Sequence, residues 1–205
     1  FDVAGNAFAG IPGVVLGHNK DVMWGATTNP MDVTDTYAEQ VVVDPTSPTG
    51  LSTVFQGTSE HVLAVPETYR VNTLGGGVVV VPPNPQVPAQ TLIVPRRNNG
   101  PIVSFTPPSA AGPGAALSVQ YTGFSATREV DALLAWNRAK DLDDFQTGLS
   151  FFDVGSQNWS YADKRGNLAY FTSAEMPLRE DLQAGTVNGA PPWFIRNGQG
   201  GNEWL

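Results

Sequence analysis

Between residues 37 and 120 no stretch runs far without a proline or a glycine: TSPTG, GGG, PPNPQVP and PPSAAGPG cut the region into short pieces. Proline removes a backbone donor and glycine loosens the chain, so a helix cannot be sustained there. The pieces in between are rich in β-branched residues and read as short strands: YAEQVVV at 37–43, then 61–65, 68–72, 78–81 and 91–94. The four inserts are too short to separate two cores and read as surface loops, and the chain has no internal repeat. The same punctuation interrupts every apolar run before it could cross a bilayer.

With 205 residues, 41% of them hydrophobic, the chain can bury a sizeable core. A net charge of −8, with the Lys and Arg residues scattered, argues against nucleic acid and against anionic membrane surfaces as partners. The absence of cysteine excludes disulfides, thiolate metal sites and a cysteine nucleophile. The sequence opens at FDVAGN with neither Met nor a leader, which leads us to expect a processed or cut chain.

Helical spacing is confined to 129–152. Val130, Leu133, Leu134 and Asn137 mark one face of a first helix, and Asp141 with Asp144 forms an N-terminal cap opening a second, which carries Leu142, Phe145, Leu149 and Phe152. Two strands at 159–162 and 168–172 flank the turn DKRGN. The tail from 180 to 205, with seven glycines and prolines, is expected to wrap over the surface. Strands, then helices, then a hairpin favour an α+β layered fold over a parallel βαβ design. Upstream, 11–16 reads as a strand ending at Gly17.

The chemistry centres on 17–39, GHNKDVMWGATTNPMDVTDTYAE. Gly25, Thr27, Thr28, Asn29 and Pro30 predict irregular backbone between Trp24 and an acidic cluster of Asp32, Asp35 and Glu39. There is no Gly-Lys phosphate loop, no HExxH and no GxSxG. His18 and His61 stand alone, and His18 is either a structural histidine beside a glycine turn or a catalytic one. Asp32, Asp35 and Asn29 offer hard oxygens suited to calcium, without EF-hand spacing; two aspartates in a polar turn can equally be solvated or capping.

Two ordered blocks resemble the penicillin acylase family of N-terminal-nucleophile amidohydrolases. The first is VAGNAFAGIPGVVLGHNKDVMWGATTNPMDVTDTYAEQ; the second is LLAWNRAKDLDDF followed by SQNWSYADKRGNLAYFTSAEMPLRE, with PRRNNGPIV between them. The resemblance implies an αββα four-layer sandwich, of which residues 1–205 are part of one domain, internal to the large (beta) subunit. It implies a precursor that cuts itself into two chains, and a serine nucleophile at the new N-terminus whose own amino group is the base. This chain is then expected to start downstream of that serine and to end before an Asn-rich segment that supplies an oxyanion donor.

By the same resemblance the backbone N–H at Thr28 is the second oxyanion donor, and Asp32, the Thr34 carbonyl and Asp35 are ligands of a structural calcium ion. Leu16, Ala26, Trp136 and Gln157 line an acyl pocket. Relatives that take phenylacetyl groups carry aromatic or aliphatic residues at the positions of Leu16 and Gln157, and Gln157 departs from that pattern. The expected partners are a small-molecule N-acyl substrate, a small alpha subunit and the rest of the large subunit, with neither nucleic acid nor membrane. The expected reaction is cleavage of a linear amide, on a β-lactam such as penicillin, an N-acyl homoserine lactone or a lipopeptide, by a protein exported to the bacterial periplasm or medium.

From composition alone Leu16 and Trp136 are ordinary core residues, and Asn158, Tyr161, Asp163 and Gly166 are hairpin architecture. Pro177 and Arg179 form either a turn with a solvated arginine or an arginine paired with a buried acid. The alternative to an enzyme is a secreted, non-catalytic β-rich protein whose loops bind calcium or carbohydrate.

Overall fold

The computed structural model describes residues 2–182 and 189–205. Its strands run β1 (Val3–Asn6), β2 (Leu16–Asn19), β3 (Val22–Thr28), β4 (Thr34–Val43), β5 (Leu51–Phe55), β6 (Thr58–His61), β7 (Leu63–Pro66), β8 (Arg70–Asn72) and β9 (Val78–Val80). They continue with β10 (Gln90–Val94), β11 (Gly100–Thr106) and β12 (Gly114–Tyr121). Two helices follow, α1 (Glu129–Arg138) and α2 (Leu142–Leu149), then β13 (Gln157–Asp163), β14 (Leu168–Ser173) and the short β15 (Arg196–Asn197). The described chain is thus mostly β with two α-helices. It divides into two compact units, one of residues 1–33 and 125–177, the other of residues 34–124 and 178–205.

The first unit holds a sheet in the order β1-β2-β3-β13-β14, antiparallel throughout. Strand β3 is its centre, although its glycine and threonines, with the Asn and Pro that follow, predict irregular backbone. Seven ladder positions on β13 override that local signal, and Thr27 and Thr28 are themselves β-branched; Pro30, which cannot donate, lies just past the strand end. One face of the sheet is covered by the helices. Trp136 of α1 stacks on Phe145 of α2 at 5.2 Å and packs at a tilt against Trp159 of β13 at 4.3 Å between ring centroids, and Phe145 in turn meets Tyr161 at 5.1 Å. Each such pair adds about 0.5–1.5 kcal/mol to the burial of its area.

Ala132, Leu133 and Trp136 are the apolar residues that α1 buries, while Val130 is exposed, so the inward face is turned from the predicted stripe. Asn137, predicted to lie on that stripe, serves the backbone instead. Its Oδ1 accepts from Val14 N–H at 2.8 Å and its Nδ2 donates to Val14 O at 2.7 Å. That side-chain clamp takes the place of a strand partner, which is why the strand predicted at 11–16 is a turn held by the helix, with β2 beginning only at Leu16. The cap on α2 is as expected: Asp141 accepts from Asp144 N–H at 3.1 Å, and Asp144 accepts back from Lys140 N–H at 2.9 Å. The hairpin turn closes on Asp163, which accepts from Arg165 N–H and Asn167 N–H, with Gly166 at φ 90°.

The second unit is built on a sheet in the order β6-β5-β4-β12-β11-β10-β7, with β15 added parallel to β4, and a separate β8-β9 ribbon. Alternation along β4 buries Asp35, Tyr37, Glu39 and Val41 on one face. Two of those four are acids, so this face needs cations, and the structure supplies arginines. Arg97 Nε donates to Glu39 at 2.9 Å, the Ser118 hydroxyl donates to the same oxygen at 2.7 Å, and the Arg97 guanidinium lies 3.4 Å from the Tyr37 ring centroid. The tail does more than wrap: Arg196 of β15 is 1% exposed and pairs with Asp181. Residues 183–188 of that tail lie outside the described residues.

Two consequences can be measured. Removing the cation but not the acid leaves a buried carboxylate unpaired, so Arg97→Met is expected to cost about 3–5 kcal/mol of unfolding free energy in urea titrations. Adding Glu39→Gln should recover part of that loss. Near β5, Asp44 accepts hydrogen bonds from the Ser52 hydroxyl and from the hydroxyl and N–H of Thr46, which hold its carboxyl down to about 2 from the ordinary 3.8. A carboxyl depressed by folding stabilises fully above its unfolded value of 3.8 and loses that contribution as the pH falls to about 2. The stability difference between the native protein and Asp44→Asn, present at neutral pH, should therefore shrink across that window.

Candidate functional site

Period-two alternation places Trp24, Ala26 and Thr28 of β3 on one face, opposite Tyr161, Trp159 and Gln157 of β13. Toward Trp24 this face is filled by aromatic rings packed on the helices. Toward Thr28 the residues are smaller or polar, and a cavity of about 390 Å³ opens there. Leu16, Ala26, Thr28, Gln157 and Trp159 form part of its wall, with Phe8, Ile11, Val15, Thr27, Glu129, Leu133 and Phe152 completing it. That volume is within the range of small-molecule sites, and the wall is predominantly apolar.

The backbone at Thr28 has a specific orientation. Asn29 N–H donates to Ser156 O at 3.1 Å. Bonded and non-bonded pairs alternate in an antiparallel ladder, so Thr28, opposite Gln157, occupies a non-bonded position and its N–H points away from β13. On the other side, the pairing of β2 with β3 goes no further along β3 than Trp24. A backbone donor outside the ladder thus stands at the rim of an apolar cavity. Such an arrangement can seat an apolar group and donate to an oxygen attached to it.

Of the residues expected around an acyl pocket, Leu16, Ala26 and Gln157 meet at this wall together with Thr28. Trp136 does not line the cavity: it is fully buried behind, packed at a tilt against Trp159, with its Nε1 donating to Phe145 O at 3.0 Å. Sequence reasoning missed Trp159, although it stands two positions after Gln157 in the same strand and the period of two puts both on one face. Phe8, 70% exposed, gave no periodic signal at all. His18 is exposed on β2, its Nδ1 3.3 Å from Asn19 O, and it is not among the cavity residues. Glu129 is committed to structure, accepting from the N–H groups of Asp153 and Val154 and from the Thr127 hydroxyl.

The family model for penicillin amidase matches residues 1–205. The chain belongs to the penicillin amidase family. It is 28% identical over 182 residues to penicillin G acylase of Escherichia coli, an alignment covering 88% of this chain and 19% of that protein. The fold matches a thermostable penicillin G acylase from Alcaligenes faecalis with a TM-score of 0.67 and 27% identity, over 100% of this chain and 32% of that one. The chain therefore spans about a fifth of the curated relative and about a third of the solved one.

One of the positions that the penicillin amidase resemblance assigns to calcium, Asp35, is paired with an arginine here. Asp35 is 1% exposed, and Arg179 donates to both of its oxygens, from Nε at 2.8 Å and from the second amino group at 3.1 Å, while Trp204 Nε1 donates as well. Arg179 is thus the partner of a buried acid, not a solvated residue. Asp32 belongs to the first unit, and Thr34 and Asp35 to the second. Among the described residues no group of three His, Asp or Glu side chains is arranged to hold a metal. Calcium takes about six to eight oxygens with net negative charge, and an aspartate neutralised by a bidentate arginine is a poor member of that set. Asp35, one of the three expected ligands, is in this structure the partner of Arg179. Adding calcium or a chelator is expected to leave the thermal unfolding midpoint unchanged; a rise with calcium would show that the ion displaces or joins Arg179 at Asp35.

Proposed function

We propose that this chain is part of an amidohydrolase that removes an acyl group from an amine, on a β-lactam such as penicillin or a related N-acyl compound, through an acyl-enzyme. The observation that carries it is the apolar cavity beside the Thr28 N–H, in a chain of the penicillin amidase family. The acyl group would lie against Leu16, Ala26 and Trp159, where its burial provides binding energy at about 25 cal/mol per Å². The carbonyl oxygen would meet the Thr28 N–H, a donor already fixed by the strand and therefore free of reorganisation cost as charge develops. The attacking serine, its amino group as base, and a second oxyanion donor would come from segments outside residues 1–205.

The rest of the reading follows the family: a four-layer αββα sandwich, a self-cleaved precursor giving a small alpha and a large beta subunit, and export to the periplasm or medium. Calcium takes no part in the reaction proposed. No observation favours the alternative of a calcium-binding scaffold, since the carboxylate it would rely on is paired with Arg179.

The test uses the full-length protein that contains this chain, assayed on phenylacetyl and fatty-acyl anilides. A backbone donor is indifferent to its side chain, so Thr28→Ala should keep kcat within a factor of a few. Thr28→Pro deletes the N–H and should lower kcat by about 10²–10³-fold with an unchanged circular dichroism spectrum. Equal losses in both variants would remove Thr28 from the oxyanion site, and no turnover of any acyl amide by the processed native protein would overturn the amidohydrolase.

A further inference from the structure

The β8-β9 ribbon pairs with neither of the two larger sheets. A two-stranded ribbon by itself is only marginally stable in water, and this one buries neither face: alternation puts Val71 and Val79 on one side and Val78 and Val80 on the other, and all four are 48–61% exposed. Its two outer edges differ. Strand β8 carries Arg70 and Asn72, polar residues of the kind that blunt an edge, whereas β9 is valine at every position, with Val81 beyond it before Pro82 and Pro83 end the run. The edge of β9 is also open to hydrogen bonding. Thr73 N–H donates to Gly77 O at 2.8 Å and Val81 N–H to Tyr69 O at 2.9 Å. Bonded and non-bonded pairs alternate between these two, so Val71 and Val79 form a bonded pair, while Val78 and Val80, opposite Asn72 and Arg70, turn their N–H and C=O groups away from β8. Among the described residues no strand receives those groups.

We propose that in the full-length protein a strand from outside residues 1–205 of the same precursor pairs with the outer edge of β9. The chain spans 19% of the curated relative and 32% of the solved one, so most of the polypeptide able to supply such a strand lies outside it. The chemistry of the partner follows from the edge. It lies beside Val78 and Val80 on one face and Val79 on the other, so it is a continuous apolar run rather than an alternating one. A segment that folds together with the ribbon is the occupant that fits, because an uncharged valine edge left waiting for a separate protein would template assembly of the chain with itself. The pairing is independent of the reaction proposed above and stands or falls without it.

Two measurements on the full-length protein test this. The first needs no variant: amide hydrogen exchange read residue by residue, in which the outward N–H groups of Val78 and Val80 should exchange at least about 100-fold more slowly than in an unstructured peptide. Exchange at the unstructured rate would show the edge open to water and overturn the pairing. The second places the photo-crosslinker p-benzoylphenylalanine at position 80, where the valine is 58% exposed and a larger side chain has room. After irradiation, the attached peptide is identified by mass spectrometry and the product sized under denaturing conditions. The expected product joins residue 80 to an apolar segment outside residues 1–205 and weighs no more than one copy of the precursor. A product of two copies assigns the edge to self-association and overturns the proposal, as do crosslinks confined to residues 1–205.

Discussion

The contact between Trp136 and Trp159 sets the site. It ties the helix pair to the central sheet, and it fixes where filled core stops and open cavity starts, because Trp159 shows one ring surface to Trp136 and forms cavity wall as well. Behind it, Gly148 of α2 makes room: a Cβ there would lie 2.4 Å from Trp136 Nε1, closer than real contacts allow. The Trp136 indole nitrogen can therefore approach the helix backbone closely enough to donate to Phe145 O. The floor of the pocket is rigid for the same reasons the core is dense.

The second unit is held by different physics. Its buried sheet face carries Asp35 and Glu39, matched by Arg179 and Arg97, with the Ser118 hydroxyl also serving Glu39. Arg96 extends the network at its edge, bonding Glu60 at 2.6 Å and Glu203 at 2.9 Å. Paired charges of this kind add less net stability than an apolar core of the same volume, yet each fixes one arrangement, because any register shift by one residue would strand a charge. Glycine at 198 fits the same logic, since a Cβ there would sit 2.3 Å from Glu39 Oε2.

How much of this could be read in the sequence follows from which signals are local. The cap at Asp141, the hairpin at Asp163 to Asn167 and the β-rich middle depend on neighbours in the chain, and they stand as read. Strand β3 does not: its local residues favour a loop, and only pairing with β13, more than a hundred residues away, makes it a strand. Asp35 in DTYAE reads as a candidate metal ligand when taken singly. The spacing of Asp35, Tyr37 and Glu39, at every second position, is that of one buried strand face, and the arginines that answer the two acids, Arg97 and Arg179, lie far along the chain. At the site, Leu16, Ala26, Thr28 and Gln157 came from motif resemblance, whereas Phe8 and Ile11, though inside the first resembling block, were assigned no role by it.

The clamp of Asn137 on Val14 has an evolutionary consequence. The segment between β1 and β2 that supplies Phe8 and Ile11 to the cavity rim is anchored at its far end by one amide side chain from a helix, with Val15 N–H returning to Asn6 O at 2.8 Å. No ladder register depends on what lies between those two anchors. Length and side chains in this segment can drift, by insertion, deletion or substitution, without disturbing the sheet. Descendants of one ancestral scaffold could thus diversify their substrates by rewriting the rim alone while the aromatic floor stays constant.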